Sequence, residues 1–95
     1  MQDDDLANLM RALGHPARLK VLRVLAAQQN SCCCADVTEC MTLAQSTVSQ
    51  HIKVLLEAGL IERRSEGTKN CYVVVPKKMD ALEAAFGDLT KGLVS

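Results

Sequence analysis

The hydrophobic period of this chain changes twice, and these two changes constrain its fold more than any other feature. Up to Gly59, apolar residues recur every three or four positions, which is the spacing of amphipathic helices. Residues 60–65 and 70–75 instead have the pattern of two strands, joined by a turn at residues 66–69. Helical spacing returns after Pro76. The sequence therefore predicts a mostly α-helical fold with one small β-hairpin before the last helix.

Two helices are predicted on either side of Gly14-His15-Pro16. Glycine is a good C-terminal stop and proline fits the first turn of a helix, so His15 is interpreted as a turn or cap residue. The second helix is predicted over residues 17–28. Its predicted inward side chains are Leu19, Leu22, Leu25 and Ala26, widened by Val21 and Val24, and its predicted outward bases are Arg18, Lys20 and Arg23.

The stretch from residue 41 to residue 60 is interpreted as a turn followed by a single amphipathic helix. Its apolar stripe consists of Val48, Ile52, Leu55 and Leu56, at i, i+4, i+7 and i+8. The opposite face carries Ser46, Thr47, Ser49, Gln50 and Lys53. Such a face, rich in hydrogen-bonding groups and almost free of acid, suits contacts to base edges and phosphates, although an ordinary solvated face is the alternative.

A shorter helix is predicted before it, from Ala35 to Cys40 or Met41. The chain turns at Thr42, and Gln45 or Ser46 is the predicted cap of the longer helix. Two helices joined by a short turn, with a polar outer face on the second, form a helix-turn-helix. The pattern therefore predicts a DNA-binding unit.

The formal net charge is zero, but the charges are unevenly distributed. Residues 45–78 carry six bases and three acids, whereas acids are in excess both before and after this segment. Three of these bases decorate the predicted hairpin: Arg63, Arg64 and Lys69. A basic hairpin directly after a DNA-reading helix predicts a wing that reaches a neighbouring backbone or minor groove, although a plain hairpin that closes a sheet is the alternative.

The apolar pattern of the last helix predicts that two copies of the chain form a dimer. Its apolar residues Met79, Leu82, Phe86, Leu89 and Leu93 are spaced three, four, three and four apart, which is a coiled-coil seam. A chain of 95 residues with one Phe, one Tyr and no Trp has little material for a core of its own. We therefore expect one domain over residues 1–95 and a dimer contact at this seam, although packing on its own domain would use the same stripe.

The acidic start of the chain lacks the apolar run of a signal peptide, and no segment approaches a membrane-spanning length. A cytoplasmic protein without membrane contact is expected. In that compartment the five cysteines, Cys32, Cys33, Cys34, Cys40 and Cys71, should be thiols rather than disulfides.

Three segments together resemble the ArsR/SmtB family of winged-helix metal- and stress-responsive repressors. They are LGHPARLKVLRVL at 13–25, LAQSTVSQHIKVLLEAGLI at 43–61 and EGTKNCYVV at 66–74. The resemblance implies a winged helix-turn-helix that forms a homodimer through its first and last helices. It also implies binding to an operator of two half-sites in double-stranded DNA, with release when an inducer binds.

The resemblance also implies which residues meet DNA. Carried over by position, Gln45, Ser46, Thr47, Ser49, Gln50, His51 and Lys53 lie on or beside the DNA-reading face. Gln50 is the best candidate for bidentate contact with adenine. His51, at the border of the apolar stripe, either contacts phosphate or packs between helices.

The inducer is predicted from the cysteines. Arsenite-responsive relatives carry Cys-x-Cys-Asp-Leu-Cys before the DNA-reading helix. Asp36 matches the motif's Asp, but only Cys33 matches a motif cysteine, since Ala35 and Thr38 occupy the other two positions. In winged helices this segment often forms a short strand beside the second hairpin strand, which would bring Cys33 or Cys34 near Cys71 or Val73.

We therefore expect a soft-thiolate site made by two of Cys32, Cys33 and Cys34, completed by Cys71, that binds arsenite or antimonite as inducer. Cys40 is interpreted as a buried structural thiol. The last helix has no histidine, so the zinc site of other relatives is not expected.

Other readings stay open at this point. The same cysteines fit a thiol-redox or sulfide-responsive repressor, a soft-metal sensor of the zinc or cadmium type, or simply small buried side chains in a DNA-binding module without inducer. An enzyme with a cysteine nucleophile is not expected, because no suitable Cys–His–Asn order is present.

Overall fold

The computed structural model describes residues 1–28, 32–67 and 69–94, and within these ranges it is mostly helical with one hairpin. The elements in chain order are α1 (Asp3–Leu13), α2 (Pro16–Ala27), β1 (Cys32–Cys33), α3 (Cys34–Glu39), α4 (Gln45–Glu57), β2 (Ile61–Glu66), β3 (Lys69–Val74) and α5 (Pro76–Val94). The two changes of hydrophobic period thus fall where helix gives way to strand and strand to helix. Position 68 of the predicted turn lies outside the described residues.

The boundary between α1 and α2 is the one that the sequence predicts. Gly14 follows the last residue of α1, and Pro16 is the first residue of α2. His15 is extended and caps α2, because its Nδ1 accepts a hydrogen bond of 3.0 Å from the backbone N–H of Ala17. The interpretation of His15 as a cap is therefore confirmed.

The three strands form one antiparallel sheet in the order β1-β3-β2. In the hairpin, Ile61 lies opposite Val74 and Arg63 lies opposite Tyr72. The turn between the strands includes Gly67, whose positive φ of 65° favours glycine. The strand before α3 does pair with the second hairpin strand, as expected for a winged helix.

The core is aliphatic and lies between the helices and the sheet. Its largest fully buried side chains are Leu25, Leu55, Leu60, Ile61, Val21, Val37 and Val48. Both aromatic residues lie outside it, since Tyr72 is half-buried and Phe86 is exposed. Close packing in this core therefore depends on branched aliphatic side chains from α2, α3, α4 and the hairpin.

The predicted inward face of α2 is partly wrong. Val21 and Leu25 are fully buried, but Leu19 is 42% exposed and Ala26 is exposed. At 100° per residue, Leu19 lies about 200° around the helix from Val21, so one cannot be buried while the other faces the same core. The buried stripe is narrower than the run of leucines indicates.

The predicted cap of α4 is also wrong. Ala44 is the N-cap residue, and it makes no side-chain hydrogen bond. Its carbonyl accepts from the N–H groups of Thr47 and Val48, each at 3.0 Å, so the helix begins at Gln45. As a result, the side chains of Gln45 and Ser46 are exposed rather than used in capping.

Among the described residues, no helix has the length and apolar content that crossing a bilayer requires.

Two leucines of α2 give a matched test of the core. Leu25→Ala removes a fully buried side chain and is expected to lower the free energy of unfolding by roughly 2–5 kcal/mol. Leu19→Ala removes a side chain from the exposed face of the same helix and should change it by less than about 1 kcal/mol. Urea unfolding at one fixed protein concentration measures both. Equal losses for the two variants would contradict the orientation of α2.

Candidate nucleic-acid interface and cysteine cluster

Helix α4 has one buried face and one polar face. Val48, Ile52 and Leu55 are buried in the core. The exposed side chains of its polar face are Gln45, Ser46, Ser49, Gln50 and Lys53, and Thr47 is half-buried beside them. No acid occurs on α4 before Glu57. The structure thus brings together six of the predicted DNA-contacting residues on one accessible surface, which we call the polar face of α4.

His51 lies apart from that surface, at the contact between α4 and α2. It is half-buried, and its ring centroid lies 4.6 Å from that of His15. Its Nδ1 accepts a hydrogen bond of 3.3 Å from the Nε–H of Arg18. Packing between helices, one of the two roles considered for His51, is therefore present in the structure.

The environment of His51 favours its neutral form. Burial lowers the pKa of His51 below its ordinary value, and the nearby His15 and Arg18 lower it further. Protonation of Nδ1 would also remove the acceptor that Arg18 uses. The contact between α2 and α4 is therefore built for a neutral imidazole.

Arg18 was predicted to face outward and instead joins three helices. It is half-buried, and its Nη1 donates to the carbonyl oxygens of Arg11 at 3.2 Å and Ala12 at 3.3 Å, in addition to the bond from Nε to His51. The final carbonyls of a helix lack partners within it and attract a cation. The sequence contains one signal for this contact. Because Gly14 ends α1, the last carbonyl oxygens of α1 lack partners within the helix and lie a few residues before Arg18.

The hairpin presents two exposed arginines on β2. The guanidinium carbon of Arg63 lies 5.9 Å from the centre of the Tyr72 ring, a cation–π distance. Arg64 is also exposed and lies opposite Cys71. Lys69 begins β3, but the position of its side chain lies outside the description. Because consecutive residues of a strand point to opposite faces of a sheet, the two arginines are exposed on opposite faces of the hairpin.

Cys33 and Cys34 lie where β1 joins α3, and Cys71 lies on the strand beside them. Cys33 lies opposite Cys71 across the sheet, which confirms the expected approach of the two segments. Cys33 and Cys34 are half-buried and Cys71 is buried, and all three are thiols rather than disulfides. Cys32 lies opposite Tyr72, and its side chain falls outside the description.

Cys33 is also the N-cap residue of α3. Its Sγ donates to Oδ2 of Asp36 at 3.1 Å, and its backbone N–H donates to the same oxygen at 3.2 Å. The Cys33 sulfur in turn accepts from the backbone N–H of Asp36, which completes a capping box. The first turn of α3 therefore depends on the thiol of Cys33.

Cys40 does not have the predicted role. It is exposed at the C-cap of α3, not buried. The residue of α3 that enters the core is Val37, and Cys40 lies three positions later, where the helix ends and the chain turns toward α4. A free thiol here is a surface group.

Among the side chains that the structure describes, which exclude that of Cys32, no three of His, Cys, Asp or Glu converge into a metal site. The described part of the cluster supplies a cross-strand pair of thiols and the carboxylate of Asp36 beside one of them. Two soft sulfur donors suit a thiophilic ligand rather than a hard cation, which prefers oxygen.

Comparison with known proteins gives the same assignment as the fold and the polar face of α4. A helix-turn-helix domain model matches residues 13–64, more than half of the chain. An HTH-type transcriptional regulator of Methanocaldococcus jannaschii is 36% identical over 73 residues, which cover 77% of this chain and 81% of the relative. The arsenical resistance operon repressor of Bacillus subtilis is 33% identical over 72 residues, covering 76% of this chain and 68% of that protein. This chain belongs to the ArsR family of winged helix-turn-helix transcriptional repressors.

Solved structures of the family share the fold. An ArsR-like transcriptional regulator from Rhodococcus sp. RHA1 superposes with a TM-score of 0.84 at 16% identity, over 95% of this chain and 83% of that one. A winged helix-turn-helix domain from Mycobacterium bovis, described as homodimeric, has a TM-score of 0.73 at 24% identity, over 100% and 92%. An ArsR-family chain with this fold is a DNA-binding regulator and not an enzyme, as the sequence predicts.

The lowered pKa of His51 predicts a pH-dependent stability. Because its folded pKa lies below the unfolded value of 6.5, the contribution of the neutral ring is fully present above about pH 6.5 and is lost as the pH falls toward the folded pKa. Urea unfolding at a series of pH values below 7.5 should show this loss. In His51→Gln, which keeps an acceptor for Arg18 but cannot titrate, the loss should be smaller. Parallel curves for the two proteins would contradict the assignment.

Proposed function

We propose that this ArsR-family repressor binds an operator in double-stranded DNA as a homodimer and releases it when cysteine thiolates bind arsenite or antimonite. The observation that supports the inducer most directly is the pairing of Cys33 with Cys71, because Cys33 also caps the helix that precedes α4. The proposal has three parts: a DNA-contacting surface, a dimer contact and a thiolate site.

The DNA-contacting surface would be the polar face of α4 together with the hairpin. A helix of this kind fits the major groove, where Gln50 would bond adenine and Gln45 would reach a neighbouring base edge. Ser46, Thr47, Ser49 and Lys53 would contact phosphates and bases, with His51 at the border of the surface. Arg63, Arg64 and Lys69 of the hairpin would contact the flanking backbone.

The dimer contact would use α1 and α5. Helix α5 has no buried residue in the single chain, and its seam side chains Phe86 and Leu89 are 45% and 41% exposed. Met10 of α1 is 40% exposed and lines, with Leu82 and Phe86, an apolar groove of about 330 Å³ between the two helices. Exposed apolar residues in one continuous band mark a protein contact.

A homodimer would also give the two α4 helices a fixed separation. Binding to two half-sites requires reading helices roughly 34–36 Å apart, one turn of B-DNA. Any change that moves α4 within a protomer would therefore alter this separation and weaken operator binding. The homodimeric relative from Mycobacterium bovis supports the same assembly.

The thiolate site would consist of Cys71, Cys33 and a third sulfur from Cys32 or Cys34. Trivalent arsenic and antimony are thiophilic, and sulfur donors without imidazole suit them. Opposite residues on antiparallel strands have Cβ atoms about 4.5–5.5 Å apart, which is close enough for two sulfurs to share one ligand atom. Neighbouring Cys34 begins α3 and is half-buried beside the core.

Release would follow from the cap of α3. When Cys33 loses its proton and binds the metalloid, its sulfur can no longer donate to Asp36 Oδ2, and it has to turn toward the metalloid and away from the backbone N–H of Asp36 that it caps, so the first turn of α3 is weakened. Helix α3 packs on α4 and is joined to it by residues 40–44. The bound metalloid would thus favour a population in which α4 is displaced from its operator position.

Variants of the polar face of α4 test the DNA-contacting surface. Gln50→Ala is expected to weaken operator binding by about 1–3 kcal/mol and to change binding to random DNA little, because it removes a base contact. Lys53→Gln should weaken both and lower the salt dependence, because it removes a phosphate contact. Lys91→Gln, which removes an exposed lysine of α5 away from the polar face of α4, is the control and should leave DNA affinity unchanged. Fluorescence anisotropy of labelled DNA measures all three, and equal affinities throughout would contradict the surface.

Arsenite titration tests the inducer in the same format. We expect arsenite to release operator DNA from the native protein. The Cys40→Ser variant should respond in the same way, because the exposed thiol of Cys40 lies outside the cluster. Cys33→Ser and Cys71→Ser should require much higher arsenite, because each removes a sulfur ligand. Zinc, titrated separately, should release less DNA. The proposal is wrong if the triple substitution of Cys32, Cys33 and Cys34 by serine leaves the arsenite response unchanged.

A further inference from the structure

The register of the sheet defines the type of pair that Cys33 and Cys71 form. The backbone N–H of Val75 donates to the carbonyl of Leu60 at 3.0 Å, which marks those two residues as a hydrogen-bonded pair. Along an antiparallel ladder such pairs alternate with non-hydrogen-bonded ones. When this alternation is followed along the unbroken register, Cys71 forms a hydrogen-bonded pair with Arg64, so its backbone N–H and C=O point toward β2. The next residue, Tyr72, therefore points its backbone N–H and C=O toward β1.

It follows that Cys32 and Tyr72 form a hydrogen-bonded pair, and that Cys33 and Cys71 form a non-hydrogen-bonded pair. In pairs of this second type the Cα atoms lie about 4.5 Å apart and the side chains are closest. A disulfide requires Cα atoms roughly 4.4–6.8 Å apart. The two thiols are therefore on strands whose spacing already permits a bond between them.

We propose that Cys33 and Cys71 are a thiol pair that a peroxide oxidises to a reversible disulfide, linking the start of α3 to the hairpin. Cys33 is the more accessible member, since it is half-buried whereas Cys71 is buried. Cys33 is therefore the sulfur that meets the oxidant and Cys71 is the one that resolves it. This inference does not depend on the metalloid proposed above.

The chemistry balances with hydrogen peroxide as the oxidant. Cys33 Sγ attacks one peroxide oxygen and the O–O bond breaks; the thiol proton passes by way of Oδ2 of Asp36 to the other oxygen, which leaves as water and gives a sulfenic acid on Cys33. Cys71 Sγ then attacks the Cys33 sulfur, loses its proton and displaces a second water. In total, two thiols and one hydrogen peroxide become one disulfide and two waters.

The disulfide would act on DNA binding through the α3 cap. A sulfur in a disulfide has no proton, so the bond from Cys33 Sγ to Asp36 Oδ2 is lost. The Cys33 sulfur also has to turn toward Cys71, away from the backbone N–H of Asp36 that it caps, and loss of an N-cap interaction shifts a helix equilibrium by about fivefold. We therefore expect the oxidised protein to bind the operator about fivefold more weakly than the reduced protein.

Disulfide mapping tests the pair directly. The full chain is reduced, treated with hydrogen peroxide, alkylated, digested without reductant and examined by mass spectrometry. We expect one cross-linked peptide pair containing Cys33 and Cys71, which dithiothreitol separates. Cys40→Ser should form the same bond, whereas Cys33→Ser and Cys71→Ala should not. A different pairing, or oxidation of Cys33 without a cross-link, would overturn the inference.

Operator anisotropy of the oxidised protein tests the consequence. Peroxide should weaken operator binding by the native protein and by Cys40→Ser, and leave operator binding by Cys33→Ser unchanged. Unchanged binding by fully cross-linked native protein would overturn the link to DNA.

The thiol-pair proposal and the metalloid proposal can fail separately. A protein that forms the disulfide but ignores arsenite rejects the metalloid, whereas one that responds to arsenite without forming the disulfide rejects the thiol pair.

Discussion

Burial of the apolar face of α4 in the core fixes the orientation of its polar face. Val48, Ile52 and Leu55 pack in the same core as Leu25 and Val37, so α4 cannot rotate without opening a cavity. That packing holds the polar face outward and on the same side of the fold throughout the helix. The family assignment is the ground for proposing this exposed face as a DNA-contacting surface, and packing in the core holds it rigid.

Two further contacts connect this rigid helix to the parts of the chain that can change. On one side, Arg18 links His51 of α4 to the final carbonyls of α1, which belongs to the proposed dimer contact. On the other side, Cys33 caps α3, which leads into α4. In the proposed mechanism, the dimer helices and the thiols would both act on α4 through a small number of polar contacts, which are easier to alter than an aliphatic core.

The sequence predicted the order and types of elements, since hydrophobic period and the residues at 14–16 depend on local chemistry. It also predicted that β1 would approach β3, a point that came from the family resemblance. It could not predict the outward Leu19 or the exposed Cys40, because these depend on which narrow stripe the tertiary packing buries. The hydrogen bond from Arg18 to His51 was missed for a similar reason, since the two residues are 33 positions apart in the sequence. The partnership of Cys33 with Cys71 required the register of the sheet, which composition does not contain.

Hydrogen–deuterium exchange of α3, with and without arsenite, tests the central claim that thiol chemistry at Cys33 is transmitted to α4 through the capping box. The account predicts that arsenite speeds exchange of the backbone N–H groups in Cys34–Glu39, while the core positions of α4 stay protected. In Cys33→Ser, arsenite should have no such effect. If arsenite releases the operator while exchange in α3 is unchanged, the capping box does not carry the signal and the account is wrong.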